Sequence, residues 1–401
     1  MMSLAWRNLW RNPRRTWLTV VALALGVTAI VFLHSYRESS YGELIRSITR
    51  GHIGHLQVHG FGYQKSPAIE VLVTDPASIE AKITSTIPGA STERRVLGAG
   101  LAGSKELSAP VMVVGIQPAS APELYSVQRG VDLGAKAERL ILVGVDLAAE
   151  LEIGPKDELV LLAQAADGSV ANDRFVVGGL VDSSSAEMNA AAVFLHVADA
   201  QSFFGLESGV HQLIVRVPGD GEDLTTPLSA LRGALDLRTL EAMSWAEILP
   251  ELKSTMVTKR KNQHLIDIIV LMIVALGVLN AMSMSTFERI REFGVMSSLG
   301  TRPSQILRLV LIEALIQGAL GFLIGMGVSF GLLYGIGSID LSNVMQGDMM
   351  GARMPSRIIL TPHVIAIQSA AMTAFGTVLL GGLIPALRAA RLRPAEALRH
   401  V

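Results

Sequence analysis

Four uncharged apolar runs limit what this chain can become: Thr16–Leu33, Ile268–Phe287, Ala314–Ile339 and Val364–Leu387, of 18, 20, 26 and 24 residues. At about 1.5 Å of rise per residue, each is long enough as a helix to cross a hydrocarbon core about 30 Å thick. Backbone groups in lipid must bond to one another, which makes helices the form such runs take. The first run is longer than the apolar stretch of a typical secretion signal, and His34-Ser35-Tyr36-Arg37 follows it in place of a small-residue cleavage motif; an uncleaved anchor is expected. Composition agrees, with half the residues hydrophobic, 17% charged and a mean hydropathy of +0.43.

Arginines in the short flanks set the orientation. Arg7, Arg11, Arg14 and Arg15 precede span one; Arg289, Arg291, Arg302 and Arg308 surround the stretch between spans two and three; Arg388, Arg391, Arg393 and Arg399 follow span four. With four spans, all three clusters fall on one side, which the positive-inside rule makes cytoplasmic. Lys259-Arg260-Lys261 lies against this assignment, but long translocated segments are largely exempt from the rule. The expected protein is therefore an α-helical membrane protein with four transmembrane helices and both termini in the cytoplasm. A large extracytoplasmic α+β domain is inserted between spans one and two.

The expected order along the chain is an interfacial amphipathic helix (1–15, with Leu4, Trp6, Leu9 and Trp10 among its arginines), span one (16–36), the periplasmic domain and its stalk (37–262) and span two (264–287). A charged cytoplasmic helix (288–307), span three (308–339), a short periplasmic loop (340–362), span four (363–387) and a cytoplasmic tail (388–401) complete it.

The charged stretch reads FERIREFGVMSSLG, Phe287–Gly300, and places Glu288, Arg289, Arg291 and Glu292 within five residues. Such a helix cannot enter lipid, yet segments that must enter hold it at both ends. It is placed to receive force or a partner at the membrane surface.

The inserted segment changes pattern completely. Short β-like runs (His55–Val58, Val111–Ile116, Leu140–Val143, Leu159–Leu162, Phe175–Val177, Ala192–Leu195, Leu213–Val217) alternate with turn residues and with helical stretches at Asp75–Ile87, Asp146–Leu151 and Asp223–Leu235. Two α+β subdomains are expected. Trp245–Gln263 reads as a helix leading into span two, a mechanical stalk. His55, Gln57 and His59 share one face of a strand near His52, but no carboxylate or cysteine stands close in sequence to complete a zinc site, so a polar strand face is the reading. Ser183-Ser184-Ser185 lacks the surroundings of a nucleophile elbow and reads as a polar loop.

Nothing suggests catalysis, a metal or a bound cofactor. There is no phosphate-binding G-x-x-x-x-G-K-[ST] loop, so energy must come from a partner. A net charge of −1 argues against a nucleic-acid partner, and the absence of cysteine excludes disulfides and thiolate metal sites. Gly321, Gly325, Gly327 and Gly331 in span three form small-xxx-small pairs suited to close helix packing, within the subunit or across a dimer; hinges of a gate are the alternative. Glu313 and Asp267 are the charges nearest lipid depth, each close enough to a span end to reach the interface.

The segments at 4–27 (LAWRNLWRNPRRTWLTVVALALGV), 51–63 (GHIGHLQVHGFGY), Trp245 with Glu247 and Pro250, 288–306 (ERIREFGVMSSLGTRPSQI) and 385–399 (PALRAARLRPAEALR) carry a family likeness. Together they resemble the permease subunits of MacB-type ABC systems, which include LolC/LolE-like lipoprotein-releasing proteins, macrolide exporters and FtsX-like permeases. The resemblance implies one span, a large periplasmic domain and three further spans, a homo- or heterodimer of permeases, and a separate cytoplasmic ATPase dimer that holds ATP and magnesium. It also implies that Glu288, Arg289, Arg291, Glu292, Gly294, Leu299 and Gly300 form the coupling helix that docks on that ATPase. Length and the GHLQVHGFGY segment look more like the LolC/LolE branch, in which a proline-containing hook recruits a periplasmic carrier. Here the corresponding Ala163–Arg174 is short and proline-free, a departure that argues against direct recruitment.

Two activities follow from the resemblance. One is extraction or export of a lipoprotein-like or amphiphilic substrate from the membrane lipid, past Val27, Ile30 and His34. The other is mechanotransmission to a periplasmic adaptor, channel or cell-wall hydrolase.

Overall fold

A computed structural model describes residues 2–118, 124–183, 185–219, 223–340, 348–349, 352–353 and 357–390. The chain forms two compact units, one made of 1–41, 256–340 and 357–401, the other of 42–255 and 341–356. Arg391, Arg393 and Arg399 of the tail, Ser184 and most of the loop expected at 340–362 lie outside the described residues.

The elements in chain order begin with α1 (Met2–Arg11), α2 (Pro13–Arg50), β1 (Leu56–Gly60), α3 (Pro76–Thr86), β2 (Ser91–Gly103), β3 (Ser108–Ile116), β4 (Tyr125–Gly130) and β5 (Leu140–Gly144). Next come α4 (Val145–Glu150), β6 (Glu158–Gln164), β7 (Val170–Ser183), α5 (Ala186–Ala191), β8 (Ala192–His196), α6 (Val197–Phe204) and β9 (Gln212–Arg216). The last are α7 (Thr225–Ala234), β10 (Leu240–Ser244), α8 (Trp245–Ile248), α9 (Pro250–Glu288), α10 (Ile290–Ser298), α11 (Pro303–Ile336) and α12 (Val364–Ala390).

Among the described residues, four helices are long and apolar enough to cross a membrane: α2, the Leu265–Glu288 part of α9, α11 and α12. The expected spans differ from these helices mainly at their ends. α2 runs unbroken for 38 residues, well past Arg37, and α11 begins at Pro303, with proline in the first turn where its missing N–H costs nothing. α11 stops at Gly337, whose φ of 64° ends the helix, and Ser338–Asp340 then pairs antiparallel with Arg357–Ile359.

Glycines set the closest approaches. A Cβ built on Gly325 would lie 2.7 Å from the Ala24 carbonyl oxygen and 2.7 Å from Val27 Cβ, and one on Gly321 would lie 2.6 Å from Leu23 Cβ. These two glycines, four apart on one face of α11, let α2 sit against its backbone, and Thr28 donates to the Gly325 carbonyl at 3.2 Å. Gly327 and Gly331 take no part in this packing, because no atom lies within 4 Å of an added Cβ at either. At about 100° per residue, Gly327 is turned some 200° from Gly325 and faces the other way.

The second unit is built on a ten-stranded sheet in the order β10-β1-β9-β2-β3-β8-β5-β7-β4, with β6 pairing β2 and β7. The pairs β3·β8 and β5·β7 are parallel and the rest antiparallel. Strand β2 divides it into two lobes. Its first half, Ser91–Arg95, pairs with β9, and its second half, Val96–Gly103, pairs with β3. In the second lobe, Val114, Ile116, Leu142, Val181, Ala192 and Phe194 form a buried core, and the Phe204 ring of α6 lies so close to Gly98 that an added Cβ would come within 2.3 Å. The expected helix Trp245–Gln263 is two pieces: the one-turn α8, and α9 starting at Pro250.

Candidate functional site

The charged stretch forms its own short helix because both ends stop it. α9 ends at Glu288, Arg289 turns the chain with φ −105°, and α10 then closes on Gly300 in the left-handed region at φ 90°. The Gly300 N–H donates to the Ser297 carbonyl at 3.1 Å and the Thr301 N–H to the Met296 carbonyl at 3.0 Å, which is the paired bonding of a Schellman cap. Phe293 is buried in a cluster with Leu23, Val278, Met282, Ile306, Val310 and Ala386, which anchors α10 beneath the helices of its own unit.

Glu288, Arg289 and Glu292 are paired within the chain. Arg289 Nη1 donates to Glu313 Oε2 at 2.7 Å, its Nε donates to Glu292 Oε2 at 3.1 Å, and its guanidinium lies 5.0 Å from the Phe293 ring centroid. Glu313 is only 5% exposed, and its other oxygen accepts from Asn8 Nδ2 at 2.7 Å. Arg11 Nη2 donates to Glu292 Oε1 at 2.6 Å, and Arg15 grips Glu288 through two bonds of 2.7 and 2.9 Å. Burial raises the Glu292 carboxyl, but the bonds from Arg11 and Arg289 outweigh it and hold the group below the usual range. The network joins α1, α2, the end of α9, α10 and α11.

Of the seven residues expected to dock a partner, Glu288, Arg289 and Glu292 are thus paired within the chain, and Gly294 is buried. Their charges are taken up by Arg15, Arg11 and Glu313. Arg291, Leu299 and Gly300 face outward with Val295 and Ser298, and Leu299 is 81% exposed. The sequence reading missed Asn8, Arg11, Arg15 and Glu313 as one constellation. Each was visible as a charged or polar residue near a span end; their convergence required the helix packing.

Val27, Ile30 and His34, expected to face a substrate, are instead buried in their own bundle at 2%, 1% and 3% exposure. Val27 packs against Gly325, and His34 Nε2 lies 2.9 Å from Asp267 Oδ1. Their face of α2 is occupied by α11 and α9.

In the second unit the histidines are satisfied core residues for the most part. His55 Nδ1 accepts from the Val217 N–H at 3.2 Å, His59 Nε2 lies 2.7 Å from Gln57 Oε1, and the His59, Tyr63 and His211 rings follow one another at centroid distances of 5.6 and 5.5 Å. Among the described residues no group of three His, Asp or Glu side chains could hold a metal ion. Ser185 caps α5, accepting from the Met188 N–H, and Ser183 Oγ donates to the Ser185 carbonyl at 2.9 Å, so both serve the turn. Ala163–Arg174 spans the β6–β7 hairpin, turned at Gly168 with φ 84°.

Residues 16–232 match the family described as MacB-like periplasmic core domain, and residues 265–394 match the FtsX-like permease C-terminal family. Among curated relatives, the macrolide export ATP-binding/permease protein MacB of Hahella chejuensis is 26% identical over 99% of this chain and 59% of its own length. The pyoverdine export ATP-binding/permease protein PvdT of Pseudomonas fluorescens is likewise 26% identical over 99% of this chain and 59% of its own length. An ABC transporter permease of Bacillus subtilis, YknZ, is 34% identical over 32% of this chain and 29% of its own. The chain thus spans about three fifths of the length of the MacB and PvdT relatives that it matches.

Proposed function

Since the chain belongs to the MacB/FtsX-type ABC permeases, we propose that it converts ATP hydrolysis by a separate cytoplasmic ATPase dimer into movement of its inserted domain on the far side of a bacterial inner membrane. A second permease copy completes the assembly, both termini lie in the cytoplasm, and the work done is export or extraction of an amphiphilic, lipoprotein-like substrate. The names of the MacB and PvdT relatives, for macrolide export and pyoverdine export, support an export role. The matched part of those relatives is only three fifths of their length, and their names include an ATP-binding function.

The observation that carries the coupling reading is the Arg289–Glu313 bond at 2.7 Å. Together with Arg11–Glu292 it ties α10 to α11 and α1, so a push on the outward face of α10 is delivered to a span and to the amphipathic helix, and is not absorbed by a loose loop. The docking face is then Arg291, Val295 and Leu299.

A second reading, mechanotransmission to a periplasmic adaptor, carrier or hydrolase, has one observation in its favour. At about 1.5 Å per residue, the 38 and 39 residues of α2 and α9 give helices roughly twice the ~30 Å that a hydrocarbon core requires. Long unbroken helices suit force transmission.

The test is retention of vanadate-sensitive ATPase activity on the affinity-purified full chain from its native membranes. Leu299→Glu is expected to abolish it while leaving thermal stability unchanged. Retention equal to that of the unaltered chain would refute the docking face. Glu292 is a poor probe of docking, because replacing it also removes its bonds to Arg11 and Arg289.

A further inference from the structure

A groove of about 530 Å³ lies between α1 and the start of the apolar run in α11. Its α11 wall is apolar throughout, with Ile316, Leu320 and Leu323 at the i, i+4 and i+7 positions of one helix face. Its α1 wall carries Met2 and Trp6, and its two polar groups, Ser3 and Arg7, stand four apart on that helix. The α11 residues lie two to nine positions into the run that begins at Ala314, about 3–14 Å below its charged end. That is the depth at which headgroups give way to acyl chains.

One face of α1 is already used by the protein: Ala5 and Leu9 are buried, and Asn8 bonds to Glu313. The rest is no ordinary water-facing surface. Met2 is 71% exposed, and Trp6 and Trp10, whose rings meet edge to face at 5.9 Å between centroids, are both nearly half exposed. Tryptophan joins an apolar body to one N–H donor, which suits it to the membrane boundary. Charge is left over as well. The described acidic residues at this end of the unit, Glu288, Glu292 and Glu313, are taken by Arg15, Arg11 and Arg289. Among the described residues, the exposed Arg7 has neither an ion pair nor a hydrogen bond. Because the adjacent Asn8 bonds to Glu313, Arg7 sits where the groove meets that charged network. An unpaired guanidinium there calls for an anion from outside the chain.

We propose that this groove binds an anionic phospholipid, its phosphate accepting from the Arg7 guanidinium and one acyl chain lying along Ile316, Leu320 and Leu323 beside Trp6. A single arginine at an anionic membrane surface is worth about a fivefold preference over a zwitterionic lipid. The occupant is a lipid and not a free phosphate, because the α11 wall is apolar throughout and continues into the exposed Ile324 and Val328 of the same span. Arg7→Gln removes no bond of the Arg289–Glu313 network, and the readout involves no ATPase, so the site stands or falls apart from the coupling reading.

The test uses the full chain in nanodiscs of equal parts phosphatidylglycerol and phosphatidylcholine. One chain carries the photocrosslinker p-benzoylphenylalanine in place of Leu323, and a second carries it in place of Leu332, an exposed control further along α11. The lipid adducts are then counted by mass spectrometry. At 323, phosphatidylglycerol adducts are expected to exceed phosphatidylcholine adducts about fivefold, and at 332 the two are expected to be equal. Arg7→Gln should bring the ratio at 323 to unity, and Arg7→Lys, which keeps the charge, should preserve most of the excess. No lipid adduct at 323, or a ratio of unity there, would overturn the site. An equal excess at 332 would reduce it to general enrichment around the chain and overturn it as well. An excess that survives Arg7→Gln would overturn the role of Arg7.

Discussion

Arg289, in the turn before α10, reaches into the helix bundle and bonds at 2.7 Å to Glu313, a carboxylate on α11 whose side chain is 6% exposed. The pair is asymmetric in its consequences. Glu313 keeps only Asn8 if Arg289 is removed, and a buried carboxylate stripped of its cation costs about 3–5 kcal/mol. Arg289→Ala is therefore expected to lower the thermal unfolding temperature in detergent markedly, while Arg289→Met with Glu313→Leu, which removes both charges and keeps the volume, recovers most of the loss. Arg291→Ala, on the exposed side of the same helix, is the control. Equal small effects of Arg289→Ala and Arg291→Ala would show that the buried bond does not hold α10.

Gly325 and Gly331 make a second contrast within one helix. An added Cβ at Gly325 meets the Ala24 carbonyl oxygen at 2.7 Å, and backbone cannot swing aside as a flexible side chain can. Gly325→Val should force α2 and α11 apart and destabilise the fold by roughly 1–3 kcal/mol. Gly331→Val meets nothing within 4 Å and should change stability by no more than about 0.5 kcal/mol in either direction. Thermal unfolding in detergent compares the two. A Gly331→Val loss matching that of Gly325→Val in the isolated subunit would show that Gly331 is packed within the chain and that its face of α11 is not open.

Much of this could be read from the sequence. Uncharged runs of span length announce helices because lipid leaves the backbone no alternative, and Asp75 before Pro76 announced α3, whose Ser78 N–H indeed bonds to Asp75 at 3.2 Å. Seven strands showed as β-rich runs. Strand β2 did not, because STERRVLGAGLAG carries two arginines and three glycines; the arginines bond to Glu80 and Glu93, and Gly98 makes room for Phe204. The charged stretch was recognised, but which of its charges face inward was not. That depends on Glu313 lying 24 residues along the chain and on Arg11 lying 281 away, partners that no local pattern reveals.

Gly300 isolates a backbone effect. Its φ of 90° lies where an L side chain is strained, yet no atom lies within 4 Å of an added Cβ, so any penalty is conformational and not steric. Gly300→Ala should cost about 1 kcal/mol and Gly300→Asn less, since asparagine tolerates the left-handed region better. Loss of the cap frees the Ser297 and Met296 carbonyls, so faster amide exchange is expected over residues 296–301 and not in α11. Unchanged exchange in Gly300→Ala would mean that the turn holds without its glycine.

The buried histidines make the inserted domain sensitive to acid. Burial drives the His59 pKa from 6.5 down to about 4, with Glu241, 3.7 Å from Nδ1, countering only part of the effect. His52 falls to about 3, and His55 and His211 also lie below the usual value. In each case the native state prefers the neutral ring, so the unfolded chain binds more protons once the pH drops below about 6.5. The contribution is therefore complete above that pH and is lost as the pH falls toward the folded values, on the order of 3 kcal/mol for His59 alone. Glu247 and Glu292, whose carboxyls are held below their ordinary range, lose their contribution only at more acid pH, as it falls through their folded values. Between pH 6.5 and 5 the slope thus belongs to the histidines. Unfolding temperatures of the full chain should fall across this window, and His59→Gln should flatten the slope by about one proton. A slope that His59→Gln leaves unchanged would show that His59 is protonated in the folded domain after all.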